Sequence, residues 1–127
     1  LLRIRLSHME ELTQEKIAIA SRYTKGIHNP KIKLPQIPEG ATCVYHQYVI
    51  RCEERDRLIE YLNEKEIGTI IHYPIPPHLA EAYRYLGHQE GDFPITEHLA
   101  KTVLSIPMYN GMTEDEQNMV IDALNRF

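Results

Sequence analysis

The sequence predicts an α+β domain, bordering on α/β, in which a small sheet of about three strands is flanked by helices. Apolar residues recur at helical spacing over the first 25 residues and again after Thr113, and three short runs rich in β-branched and aromatic residues lie between them. The chain has 127 residues, 43% apolar and 25% charged, the size and balance of a single folded domain rather than a disordered or disulfide-stapled polypeptide.

The elements follow in chain order. Leu2, Leu6, Met9 and Leu12 keep helical spacing, Ile17, Ala20 and Tyr23 continue the stripe, and Gly26 stands where a stop is expected, so residues 2–25 read as one amphipathic helix. No capping residue precedes Leu1, and the pattern is already under way there, so this helix is expected to begin upstream. Residues 28–40 hold prolines that remove backbone donors and form a connector. Residues 42–51 read as a strand with Val44, His46, Tyr48 and Ile50 on one face. A helix over 53–66 buries Leu58, Ile59 and Leu62 and breaks at Gly68. Residues 69–73 form a second strand, ended by Pro74, Pro76 and Pro77. A short helix spans 78–86, and Asp92 caps another that has Pro94 in its first turn and Ile95, Leu99 and Val103 on one side. A third strand covers 104–107. Thr113-Glu-Asp-Glu116 has capping-box form and opens a last helix carrying Val120, Leu124 and Phe127.

Charge and composition exclude several functions. The formal charge is −4 and basic residues alternate with acidic ones, which argues against a nucleic-acid partner. No apolar run is long enough for a membrane span or a signal-peptide core, so a cytoplasmic setting is expected. Cys43 and Cys52 are too few for a disulfide framework and read as free thiols. Seven histidines, His8, His28, His46, His72, His78, His88 and His98, are many for this length, but their spacing matches no helical pair of metal ligands, and no metal is expected.

One cluster stands out: Ile71-His-Tyr-Pro-Ile-Pro-Pro-His78. It sets two polar-tipped rings, His72 and Tyr73, at a strand end directly before prolines that redirect the chain. Strand ends and the loops after them are where rigid elements present ligands, and an imidazole can bond phosphate or hydroxyl groups. On the residues alone a second reading stands beside this one: Tyr73 fills the sheet face and His72 bonds a neighbouring carbonyl. His46, mid-strand, reads as a satisfied and partly buried histidine. Tyr83, Tyr85 and Tyr109 read as packing and rim aromatics, since no basic track accompanies them.

The order of blocks along the chain resembles the DegT/DnrJ/EryC1/StrS family of sugar-nucleotide aminotransferases. The blocks are Arg3-Ile-Arg-Leu-Ser-His-Met-Glu-Glu-Leu12 near the start, Val44-Tyr-His-Gln-Tyr-Val-Ile-Arg51, Gly68-Thr-Ile-Ile-His-Tyr-Pro74, Asp92-Phe-Pro94, Leu104-Ser-Ile-Pro107 and Thr113-Glu-Asp-Glu-Gln117. The resemblance implies the C-terminal small domain of a fold type I enzyme that depends on pyridoxal 5'-phosphate. Such an enzyme moves an amino group from glutamate, which is released as 2-oxoglutarate, onto a keto sugar carried on a nucleotide diphosphate, in amino-sugar, polysaccharide or lipopolysaccharide synthesis. It also implies a homodimer. Residues 1–127 would then be a single small domain, with 1–27 a long helix continuing from a cofactor-binding domain and 41–127 the small sheet with its helices. Carried onto this chain, the His-Tyr-Pro block makes His72 and Tyr73 candidate contacts to the sugar nucleotide.

Transamination needs an amine that forms an imine with the cofactor and then shuttles protons. Lys16, Lys25, Lys31, Lys33, Lys65 and Lys101 all stand among charged or polar neighbours, so none is assigned that task; no catalytic or cofactor-binding residue is expected in this chain, and the chain alone is expected to be inactive. The other functional class is a free-standing, non-catalytic domain that binds or senses a small metabolite. The two differ in whether the apolar stripe of the first helix needs a covering partner.

Overall fold

The computed structural model describes residues 2–127, so the expectation for Leu1 lies outside the described residues. The first helix is not continuous. His8, at φ −108° and ψ 5°, separates α1 (Leu2–Ser7) from α2 (Met9–Gly26). Only the second half of α2 is buried, through Ile19, Ala20 and Tyr23, whereas Ile4, Leu6 and Met9 are 69%, 69% and 55% exposed. Gly26 is the last residue of α2 rather than a stop signal, and the chain leaves through Ile27 in extended conformation. Its role is close approach: a Cβ there would lie 2.9 Å from Ile121 Cδ1 on α5 (Glu114–Arg126). Asn125 Nδ2 donates to the Gly26 carbonyl at 2.8 Å, satisfying a helix-end acceptor that would otherwise lack a partner.

The sheet is smaller than the sequence suggests, with two strands among the described residues rather than about three. β1 (Tyr48–Arg51) pairs antiparallel with β2 (Val103–Ile106), Tyr48 facing Ile106 and Arg51 facing Val103. Residues 42–47 fall outside the strand, whose pairing with β2 stops at the Tyr48–Ile106 pair. Tyr45, at φ +47°, turns the chain away there. Val44 is accordingly 62% exposed instead of lying on a buried face. The strand expected over 69–73 contracts to one bridge, Ile70 to Ser105, and Lys33 makes a similar bridge to Arg51 on the other edge.

α3 (Arg55–Asn63) is shorter than its periodicity implies. It ends in a Schellman motif, with Glu66 at φ +59°, the Ile67 amide donating to the Leu62 carbonyl at 2.9 Å and the Glu66 amide to the Asn63 carbonyl at 3.0 Å. Glu66, and not Gly68, is the breaking residue. The helix expected over 78–86 is instead two 3-10 segments, Pro77–Leu79 and Glu81–Leu86, closed by Gly87 at φ +75°. α4 (Pro94–Thr102) begins after Phe93 with no side-chain cap from Asp92, and it turns Glu97, Ala100 and Thr102 inward while Ile95 is 78% exposed. α5 carries the full capping box between Thr113 and Glu116, as its sequence predicts.

The core lies between the sheet and helices α2, α3 and α5, with Tyr23, Tyr48, Ile50, Leu58, Leu62, Leu104 and Leu124 all fully buried. Tyr23 packs edge-on to Tyr48 at 5.3 Å, and its hydroxyl donates to the Pro107 carbonyl at 2.8 Å. Burial pushes the Tyr23 phenol well above its usual range, so it remains a donor there. Cys43 and Cys52 are both free, and burial raises the Cys52 thiol.

Candidate functional site

His72 and Tyr73 leave the edge of the sheet two and three residues after the Ile70 bridge and enter the proline-rich turn. The bridge pins the chain on one side and Pro74 restricts it on the other, so both rings leave from a fixed backbone, whose His72–Tyr73 peptide is cis. His72 Nδ1 lies 2.9 Å from Ser105 Oγ on β2, which fixes the imidazole plane. The neighbouring group that His72 meets is therefore a hydroxyl and not a carbonyl. Tyr73 does not fill the sheet face: it is 75% exposed and stands edge-on to His72 at 5.7 Å.

Two clefts meet at His72. One, of about 310 Å³, is mainly apolar and runs past Tyr73, Ile75, Pro76, Pro77 and Leu99. The other, of about 180 Å³, includes His46, Gln47, Thr69 and Ser105. His46 is exposed and lies before β1, so the reading of a satisfied mid-strand histidine is corrected. The turn of the chain at Tyr45 is what frees it. Tyr83, Tyr85 and Tyr109 are 47%, 80% and 46% exposed, rim positions rather than core ones.

A histidine–carboxylate pair supports the turn and is invisible to spacing rules. His78 Nε2 lies 3.0 Å from Glu97 Oε1, with side chains only 8% and 10% exposed. The same oxygen accepts from the amides of Gly91 at 2.9 Å and Phe93 at 3.2 Å. Burial pushes the Glu97 carboxyl up, but the two amides and His78 together hold it below its usual range. Phe93 packs on His78 at 4.7 Å and on His88 at 5.0 Å. Asp92, expected as a helix cap, instead accepts from the Gln89 amide and lies 3.2 Å from His88 Nδ1. Nineteen residues separate His78 from Glu97, so no local motif announces the pair; the proline turn that brings them together is the only signal.

The described residues do not on their own fit a covalently held pyridoxal phosphate. None of the lysines is buried: Lys31 pairs with Glu54, Lys101 with Glu90, and Lys16 donates to the His46 carbonyl at 3.2 Å. An imine-forming lysine is held in a desolvated site, and none of these is buried. Among the described residues no group of three or more His, Cys, Asp or Glu is placed to hold a metal ion, and no helix is long and apolar enough to cross a membrane.

The chain matches the model of the DegT/DnrJ/EryC1/StrS aminotransferase family over residues 1–125. It is 39% identical over its full length to the dTDP-3-amino-3,6-dideoxy-alpha-D-galactopyranose transaminase of Aneurinibacillus thermoaerophilus, of which it covers 34%. It is 36% identical, over 97% of its length, to the erythromycin biosynthesis sensory transduction protein EryC1 of Saccharopolyspora erythraea, again covering 34% of that protein. The crystal structure of DesV from S. venezuelae in complex with a ketimine intermediate superposes with a TM-score of 0.94 at 36% identity, over 98% of this chain and 34% of that one. The chain thus spans about a third of the length of the curated relatives it matches. The ordered blocks, the superposition and the matched family model agree: the chain belongs to the DegT/DnrJ/EryC1/StrS aminotransferase family.

Proposed function

We propose that this chain is the C-terminal small domain of a pyridoxal-phosphate-dependent aminotransferase that moves an amino group from glutamate onto a nucleotide-linked keto sugar, with His72 and Tyr73 facing the sugar nucleotide. The observation that carries the reading is His72, held by Ser105 Oγ at 2.9 Å where two clefts meet. A ring fixed through Nδ1 has Nε2 left to meet a ligand, the arrangement a positioning histidine requires. The exposed apolar residues Ile4, Leu6, Met9 and Leu12 support a covering partner for the first two helices, which a free-standing metabolite sensor would not need. The cofactor, when bound, supplies the electron sink for amino transfer; the residues that hold it belong to the larger part of the enzyme. In this reading the small domain binds and orients the sugar, the enzyme is a cytoplasmic homodimer, and its product feeds polysaccharide or lipopolysaccharide synthesis.

The test is borohydride trapping with pyridoxal phosphate on two proteins, the 127-residue chain and the complete enzyme. The expected result is one stoichiometric modified lysine in the complete enzyme, outside these residues, and none in the chain alone. A single lysine trapped stoichiometrically within residues 1–127 overturns the reading. No trapped lysine in either protein favours the metabolite-binding module.

A further inference from the structure

Beyond the contacts proposed for His72 and Tyr73, we propose that the cleft between His46 and His72 is a subsite for the hydroxyls of the sugar ring, with His46 and Thr69 as its specificity-determining residues. The inference rests on the sugar-nucleotide reading and extends it to residues that the His-Tyr-Pro block does not include.

Three observations carry it. Thr69 Oγ1, in the wall of this cleft, is buried and has no hydrogen-bond partner among the described residues. A buried hydroxyl without a partner costs stability, and a ligand that supplies the missing bond recovers it. Second, Tyr45 holds φ +47°, a left-handed conformation that a bulky residue seldom adopts. Its ring stacks on buried Tyr48 at 6.0 Å, and this anchors the unusual turn that puts His46 in the cleft instead of continuing β1. Third, the lining combines His46, Gln47, Thr69, His72 and Ser105 with Ile70, Ile106, Pro107 and Met108, and includes no lysine or arginine. Lys16 donates to the His46 carbonyl and lines the adjoining cavity along α2, which shares His46 but not the rest of this lining.

That chemistry selects the ligand. Recognition of a diphosphate draws on fixed cations, which this lining lacks. Neutral donors and acceptors around an apolar floor suit a pyranose, whose rim is hydroxylated and whose faces are C–H. The cleft volume of about 180 Å³ is smaller than a pocket for a whole ligand, commonly about 300–1,000 Å³, and matches part of one.

The experiment compares His46→Ala, His46→Gln and Thr69→Val with the parent in the complete enzyme. Two quantities are read: KM for dTDP-3-amino-3,6-dideoxy-α-D-galactopyranose in the amine-donating direction, and the inhibition constant of dTDP alone. His46→Ala is expected to raise KM about five- to tenfold and leave the dTDP constant within about twofold, with His46→Gln recovering much of the loss. Thr69→Val is expected to keep or raise thermal stability, because it removes an unsatisfied hydroxyl, and still raise KM; a merely structural threonine would not separate the two. A parallel rise in the dTDP constant would assign the cleft to the diphosphate, and no change in either constant would make His46 a surface residue; each overturns the proposal. A parent enzyme that converts neither this sugar nucleotide nor its UDP-linked counterpart removes the sugar-nucleotide reading itself, and this inference with it, before any variant is compared.

Discussion

Replacing Ser105 with alanine isolates the contact that aims His72. Ser105 is 7% exposed and its hydroxyl lies 2.9 Å from His72 Nδ1, while its backbone N–H and C=O both pair with Ile70, at 2.8 and 3.1 Å, and are untouched by the substitution. The strand pairing therefore stays and one side-chain hydrogen bond goes. A typical intramolecular hydrogen bond contributes about 0.5–1.5 kcal/mol net. Because His72 is half-buried and can turn toward water, and alanine suits the buried position, the loss should be about 1 kcal/mol. At about 2.1 cal/mol/K per residue, 127 residues give an unfolding entropy near 0.27 kcal/mol/K, so Tm should fall by about 4 °C. Differential scanning calorimetry reads the shift, and long-range proton–nitrogen NMR of the histidine rings reads which His72 nitrogen carries the proton. One dominant His72 tautomer is expected in the parent chain and a mixture in Ser105→Ala. A loss above about 3 kcal/mol would mean that Ser105 supports the core rather than the ring, and an unchanged tautomer would mean that the hydroxyl does not orient His72.

Two further outcomes follow from the fold. Thr113→Ala should cost about 0.5–2 kcal/mol by removing the cap of α5. It should also flatten the acid limb of the stability profile: the Thr113 amide and hydroxyl, with the Tyr109 hydroxyl, hold the Glu116 carboxyl below its usual range, so its contribution is present above the unfolded carboxylate value and is lost as pH falls through the lowered one. Urea melts from pH 7 to pH 3 check both effects. Gly26→Ala should destabilise the chain by about 1 kcal/mol, overpacking against Ile121 outweighing the gain in helix propensity, and Ile121→Ala in the same chain should remove that penalty. A double-mutant cycle with no coupling between the two positions would show that α2 and α5 do not meet at this close approach.

Where local chemistry decides the structure, the sequence is legible. The capping box places α5, Leu58 and Leu62 give α3 its buried face, and the prolines mark the turn after His72. The misreadings have long-range causes. Residues 42–47 have strand composition, but whether they pair depends on a partner strand more than fifty residues away, which engages only Tyr48–Arg51. Gly26 looks like a helix stop because its reason, Ile121, lies on another helix. Asp92 looks like a cap, yet its carboxylate serves the Gln89 amide and His88, while Glu97 accepts from the Phe93 amide at the start of α4. The candidate site divides in the same way: the place of His72 and Tyr73 before the turn is legible because prolines follow them, whereas the His78–Glu97 pair and the place of His46 in the cleft depend on tertiary contacts.

The proposed role of His72 is to orient the sugar nucleotide without taking part in the donor's reaction. It is tested most directly by the two half-reactions of the complete enzyme, measured separately by single-turnover absorbance of the cofactor in the parent and in His72→Ala. The glutamate half-reaction should be nearly unchanged, and the sugar-nucleotide half-reaction should lose roughly 1–3 kcal/mol of transition-state stabilisation, about five- to 150-fold in kcat/KM. Equal losses in both half-reactions, or no loss in either, would contradict it.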